Sequence, residues 1–259
     1  MSIPTNPPDE STARISLIVP CWKDFGAAIE LGLLHVDSPL IHEVIIASVR
    51  VDKIPPGTNA LKICQADRPG RGLQMNMGAA IATGDVLLFH HVDSHLTEAH
   101  LRALTEAVQN PSVVGGAFYR KFDERHPFLL RAEPIERWHS RTFGALYGDQ
   151  SIFVRREHFV KLGGFAPMPL MEDVQFSLRL RRSGQIALLD PPMSSSPAKQ
   201  IAQGAWRTTL RNMLFLLLFR CGVPAGFLHA WYYRRVAKVA SNGTLSAEHN
   251  RMELNDSIS

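Results

Sequence analysis

Cysteine is scarce in this 259-residue chain, and Cys21, Cys64 and Cys221 are too far apart to form a metal-binding pair. An odd count without framework spacing excludes a disulfide-stapled secreted module, so the expectation is reduced thiols in a cytoplasmic protein. Long apolar runs are missing as well. Met213 to Phe219 reads Met-Leu-Phe-Leu-Leu-Leu-Phe, but Arg211 and Arg220 close it on both sides. A spanning helix needs about 20 apolar residues, so this run does not cross a bilayer. It is read either as a buried helix or as an amphipathic helix in peripheral contact with the inner face of the cell membrane. Charge of one sign is nearly balanced, with 28 Lys and Arg against 24 Asp and Glu. Nucleic-acid binding usually demands a concentrated basic stripe, and none is present. Arg179, Arg181 and Arg182 come nearest to one and read as the solvated face of a helix. Residues 1–14 lack the basic start and apolar core of a signal peptide and read as a disordered lead-in. No internal repeat or low-complexity segment is present.

What is present suits a globular protein. A hydrophobic fraction of 45% and a charged fraction of 20% are ordinary, and the length fits one large domain or one domain with an appendage. Short β-branched runs alternate with helical stretches in the first hundred residues. Strands are predicted at Ile15–Pro20, Glu43–Ser48, Leu61–Gln65 and Val86–His90, with helices from about Asp24 to Leu34 and from the Gly70–Gly72 turn through Ala82. Near-continuous apolar strands separated by helices imply a parallel sheet covered on both faces. Further strands are expected at Val113–Arg120, Ser151–Val154 and Ile186–Leu189. Helices are expected at Glu98–Gln109, Pro134–Phe143, Arg156–Leu162, Glu172–Ser183 and from Gln203 onward. The expected organisation is a main domain over 15–200, a helical segment over 201–240 and a mobile tail over 241–259.

Ligands of such sheets bind beyond the carboxyl ends of the strands. That rule singles out Pro20 to Asp24, Ser48 to Asp52 and His91 to His95, which all follow a strand. Asp93, flanked by His91 and His95, can hold a divalent cation and through it a diphosphate; it can equally be a turn residue that caps the next helix. In Arg68 to Asp85, Gly70 and Gly72 let the backbone approach a ligand and Arg71 can pair with phosphate, while Gln74 and Asn76 offer neutral hydrogen bonds. The same stretch also suits a plain loop-to-helix junction packed on the sheet. It is neither the dinucleotide fingerprint nor a phosphate-binding P-loop. Gly163 to Gln175 delivers Glu172 and Asp173 to a helix start. Acidic residues there stabilise the helix, and a carboxylate kept ionised there can also serve as a general base.

Taken together, these segments resemble family 2 glycosyltransferases, and most closely the arsenosugar-biosynthesis-type subgroup. The resemblance covers about Ile15 to Arg220. It is carried by Val-Pro-Cys-Trp-Lys-Asp, Gly-Arg-Gly-Leu-Gln-Met-Asn-Met-Gly-Ala-Ala, Thr-Gly-Asp-Val-Leu-Leu-Phe, His-His-Val-Asp-Ser, Gly-Asp-Gln-Ser-Ile-Phe-Val-Arg-Arg, and Gly-Gly-Phe through Leu-Met-Glu-Asp-Val. It implies an α/β GT-A (Rossmann-like) fold and a nucleotide-sugar donor. By the same resemblance, Asp93 is the metal-side carboxylate of the family's Asp-x-Asp, with Mn²⁺ or Mg²⁺ as cofactor. Pro20, Trp22, Asp24, Arg71, Gln74, Asn76 and His91 would face the donor. Gly148, Asp149 and Gln150 would sit where acceptor and donor sugar meet, and Glu172-Asp173 would be the acidic pair containing the base. Two positions depart from the pattern. His91 stands where the first Asp of Asp-x-Asp belongs, and Ser48-Val-Arg-Val-Asp52 replaces the usual Asp-Gly-Gly-Ser.

The implied reaction is an inverting, metal-dependent transfer with Asp173 as base. Two rival readings remain at this point: a weakly active or inactive sugar-nucleotide-binding protein, and a nucleotidyltransferase. The latter usually carries a lysine-bearing glycine signature near the first strand, and Pro20-Cys-Trp-Lys-Asp24 is not one.

Overall fold

The computed structural model describes residues 13–51, 54, 60–121, 134, 137, 138, 141, 142, 145–194 and 205–231. Residues 1–12 of the lead-in, Asp52, most of the helix expected at 134–143 and the tail lie outside the described residues. Two compact units are present: Met1–Pro167 with Glu172–Ser196, and Met168–Met171 with Pro197–Ser259.

The first unit is built on one mixed sheet. β1 (Ile15–Cys21), β2 (Glu43–Ser48), β3 (Leu61–Gln65) and β4 (Val86–Phe89) run parallel, in the spatial order β3-β2-β1-β4. β6 (Ile152–Arg155) joins β4 antiparallel, and β5 (Val113–Lys121) and β7 (Gln185–Ser194) complete the order β6-β5-β7. Every residue of β1, β2 and β4 is buried, as expected of strands covered on both faces. The covering helices of this half are α1 (Phe25–His35), α2 (Arg71–Ile81) and α3 (Glu98–Ala107). One core cluster centres on Leu17, Val19, Ile46, Phe118 and Phe153. The other centres on Ile18, Ile45, Leu87, Phe165 and Phe176 on the opposite face. After β6 come α4 (Arg156–Lys161) and α5 (Glu172–Ser183).

The α2 helix lies unusually close to the sheet. A methyl group on Gly78 would stand 2.5 Å from Ile18 Cγ2, so glycine is what allows the approach. Close packing there fixes where the first turn of α2 meets the carboxyl ends of β1 and β2.

One element differs from expectation. β7 runs for 10 residues rather than the four of Ile186–Leu189, and it contains Asp190-Pro191-Pro192. Proline cannot donate a ladder hydrogen bond, so its presence argues against a central strand. β7 is the edge strand, with a register irregularity between Phe118 and Arg120 of its partner, so the prolines are tolerated there.

Candidate active site

β1, β2, β4 and β5 point the same way, so their carboxyl ends form one edge of the sheet. A cleft at that edge is lined by Pro20, Arg71, Met75, Phe89, His90, His91, Gly148 and Ile152. Pro20 is the penultimate residue of β1, His90 and His91 follow β4, and Arg71 is the first residue of α2.

Arg71 is the hub. Its Nη2 lies 3.5 Å from Asp173 Oδ2, and its Nε lies 3.6 Å from Glu172 Oε1. Burial works against the guanidinium charge, but Asp173, Glu172 and Asp149 outweigh it and raise its pKa further. Asp173 is also held by backbone. Gly148 N–H donates to Oδ2 at 2.8 Å and Val174 N–H donates to Oδ1 at 2.7 Å. The Asp173 carboxylate therefore ties the start of α5 to the 3-10 turn Gly148–Gln150. Glu172 is buried at 7% exposure, and that burial, with the neighbouring Asp173, raises its pKa; Arg71 pulls the other way.

The turn carries its own ion pair. Asp149 Oδ1 accepts from Arg120 Nη2 at 2.5 Å, and the Arg120 guanidinium stands 5.2 Å from the centre of the Tyr147 ring. Gln150 is buried and accepts Tyr147 N–H at 2.9 Å, which shapes the turn. Arg120 was not singled out from sequence. The available signal was an arginine near the end of an otherwise apolar strand, at the edge where ligands bind.

His90 joins this turn to the loop after β4. Its Nε2 lies 3.1 Å from the Ser94 carbonyl and so must carry the proton, which leaves Nδ1 to accept Ser151 O–H at 2.7 Å. Burial lowers its pKa to about 3, so the ring stays neutral. Ser94 in turn donates to the Asp149 carbonyl at 3.4 Å. Through these bonds the His91–Asp93 loop and the Gly148–Gln150 turn hold one another.

Several predicted donor residues have other tasks. Gln74 is buried and its amide donates to the Cys21 and Ala47 carbonyls, at 3.0 Å to the latter. It closes the ends of β1 and β2 and does not line the cleft. Asn76 donates to the Phe165 carbonyl at 2.8 Å and accepts Phe165 N–H at 2.9 Å, which anchors the Gly163–Gly164 loop on α2. Trp22 is half-buried beyond β1, with the Lys23 ammonium 4.5 Å from its ring centre. Asp24 is exposed and precedes α1 without a side-chain capping bond. Ser48, where the family pattern has a carboxylate, is buried and donates to the Arg50 carbonyl.

For a cation, the described residues offer no cluster of three His, Cys, Asp or Glu. Asp93 is exposed, and its Oδ2 lies 3.5 Å from His91 Nδ1, an atom that also accepts Asp93 N–H at 3.2 Å. One carboxylate beside an imidazole fits a cation such as Mg²⁺, which is commonly held by one or two carboxylates together with substrate phosphates and water.

The decisive observation is the strand order with this site at its switch from parallel to antiparallel pairing. This is a GT-A fold. Residues 56–161 match the model of glycosyl transferase family 2. That span contains Arg71, Asp93 and the Gly148–Gln150 turn, and it ends before Glu172 and Asp173. The mannosyltransferase PcManGT from Pyrobaculum calidifontis, solved with GDP-Man and Mn²⁺, superposes with a TM-score of 0.53 at 19% identity, covering 95% of this chain and 80% of its own. TarS (residues 1–349) of S. aureus gives a TM-score of 0.55 at 14% identity, covering 94% and 78%. Glucosyl-3-phosphoglycerate synthase from Mycobacterium tuberculosis, solved with phosphoglyceric acid, gives 0.53 at 16% identity, covering 82% and 81%. Comparison with curated protein sequences gave no match.

Proposed function

We propose that this chain is a glycosyltransferase that moves a sugar from a nucleoside-diphosphate sugar to a hydroxyl acceptor, with inversion and with a divalent cation. The observation that carries the reading is the convergence of Arg71, Gly148 and Asp173 beside a cleft at the carboxyl edge of the sheet. The GT-A fold and the family match over 56–161 support it. So does the GDP-Man and Mn²⁺ in the complex of the Pyrobaculum mannosyltransferase. Hexosyl transfer and the arsenosugar-type subgroup belong to this reading through sequence resemblance. A cytoplasmic setting belongs to this reading through the odd cysteine count without framework spacing.

In the proposed reaction, Asp173 accepts the proton of the acceptor hydroxyl as its oxygen bonds to the anomeric carbon. The bond from that carbon to the donor diphosphate breaks, and its electron pair leaves with the diphosphate. Arg71 offers a fixed positive charge to that diphosphate. Asp93 and His91 would hold a cation, which supplies further charge neutralisation to the leaving group. His90 keeps the donor-side loop and the acceptor-side turn in register.

The test is a thermal-shift panel of nucleoside diphosphates in Mn²⁺ and in excess chelator, followed by turnover of the matching donor sugars. One nucleotide should raise the melting temperature in Mn²⁺ and do so less in chelator. Equal shifts in both media would remove the cation from the mechanism. Binding without turnover of any donor would leave a sugar-nucleotide-binding protein, the outcome suggested by His91 at a carboxylate position.

A further inference from the structure

The net positive charge of this chain arises in one stretch that lacks acidic residues. Residues 191–247 contain seven Lys and Arg and no Asp or Glu, while the rest of the chain carries 21 basic against 24 acidic residues. The entire excess therefore resides in this C-terminal stretch. It also contains Trp206, Trp231, Tyr232 and Tyr233, four of the eight Trp and Tyr in the protein. Aromatic residues of this kind are enriched where a protein meets the membrane–water interface.

Within that stretch lie α6 (Ala205–Arg220) and a second helical run over 225–231. Phe215, Leu216 and Leu228 are buried, and the Phe215 ring stacks on Trp231 at 5.0 Å. The other side of α6 is apolar too. Met213, Leu214 and Leu217 are 57%, 43% and 59% exposed, and Phe227 of the following helix is 65% exposed. At about 100° per residue, Met213, Leu217 and exposed Arg220 fall on one narrow strip of the helix. A helix facing water on one side normally presents polar residues there. A lone exposed leucine needs no explanation, but a group of apolar side chains beside arginine marks an interaction surface. No helix among the described residues is long and apolar enough to cross a membrane.

We propose that this surface docks on an anionic lipid bilayer, with α6 lying in the plane of the interface. Met213, Leu214, Leu217 and Phe227 would enter the boundary between headgroups and acyl chains. The basic residues of the stretch would meet lipid phosphates, the arrangement of interfacial amphipathic helices. Charge favours lipid over a second copy of the chain, because two copies of a stretch with seven basic and no acidic residues repel one another. The inference does not depend on the chemistry proposed for the cleft.

The full-length protein should co-sediment with vesicles of phosphatidylglycerol and phosphatidylcholine at low salt. It should bind vesicles of phosphatidylcholine alone far less, and lose most of its binding at high salt. A Met213→Glu/Leu217→Glu double variant should lower the partition coefficient by about tenfold or more, since it replaces two inserting side chains with anions. Both positions are exposed, so the melting temperature should match that of the wild type. Equal sedimentation with neutral and anionic vesicles would overturn the proposal. So would a lipid-free dimer that the double variant dissociates, because the face would then belong to a second copy.

Discussion

A methyl group on Gly148 would lie 1.1 Å from Arg71 Nη2, so the absence of a side chain at that position is what makes room for the guanidinium. Gly148→Ala should therefore push Arg71 out of its place between Asp173 and the cleft. If Arg71 serves the donor, Gly148→Ala and Arg71→Ala should weaken nucleotide binding to a similar degree, on the order of tenfold, the usual worth of one charge-assisted contact. Calorimetric titration with the preferred nucleoside diphosphate checks this, and unchanged affinity in both variants would remove Arg71 from the site. Asp173 calls for a two-part measurement. Asp173→Asn should lower turnover per folded molecule by about 10²–10⁴, the range of general base catalysis. It should also lower stability by about 1–2 kcal/mol, because an amide cannot accept from Gly148 N–H and Val174 N–H with both terminal atoms. A fall in melting temperature with full turnover in the remaining folded protein would assign Asp173 to positioning alone. That Asp173 meets Arg71 could not be read from the sequence, since the two lie far apart along the chain and only the path of α2 and α5 brings them together. The backbone partners of Gln74 and Asn76 were hidden for a related reason. The sequence does not show that the neighbouring strand ends and the Phe165 backbone occupy these two amides.

At the scale of elements the sequence was much more legible. β2, β3 and α5 have the boundaries predicted for them, and β1, α1, α2 and β4 differ by a residue or so at their ends. These are the segments whose hydrophobic pattern is continuous and whose ends carry glycine or a charge. β7 was read too short because Pro191-Pro192 punctuates an extended run, and only its place at the sheet edge explains why the strand continues. The contact between α2 and the sheet offers a test at this scale. Gly78→Ala improves intrinsic helix propensity by about 1 kcal/mol. Its new methyl nevertheless meets Ile18 Cγ2 at 2.5 Å, and Ile18 is fully buried. Overpacking of this kind costs about 1–3 kcal/mol, so the net change should be a lower melting temperature. Since α2 carries Arg71, nucleotide affinity should fall along with it. Higher stability in the variant would mean that α2 moves off the sheet without penalty.

In the molecule as a whole, the two edges of the sheet divide the work. The carboxyl edge gathers the charged residues of the cleft, while the amino edge is held by one buried carboxylate. Glu43 opens β2 and accepts hydrogen bonds from Ser16 of β1 at 2.6 Å and Lys62 of β3 at 2.5 Å. Thr83 N–H, ahead of β4, donates to it at 2.6 Å. It thus ties three parallel strands to the turn that leads into the fourth. Burial alone would raise the Glu43 pKa, but the bonds from Lys62, Ser16 and Thr83 win and hold it at about 2, against an ordinary 4.5. A carboxylate whose pKa is lowered by folding contributes stability above its unfolded pKa and loses it as pH falls toward the folded value. The contribution here is about 2–3 kcal/mol at neutral pH, from the size of the shift and the partial exposure of Lys62. Glu43→Gln should therefore lower stability at pH 7 by about that amount, or several degrees in melting temperature. The gap between variant and wild type should stay constant down to about pH 4.5 and close as the pH approaches 2. Turnover per folded molecule should not change, because Glu43 sits at the opposite end of the strands from Arg71 and Asp173. Denaturant unfolding of both proteins across that pH range decides the matter. A gap that persists unchanged at the acid end would show that Glu43 acts through its shape and neutral hydrogen bonds, with its charge contributing nothing.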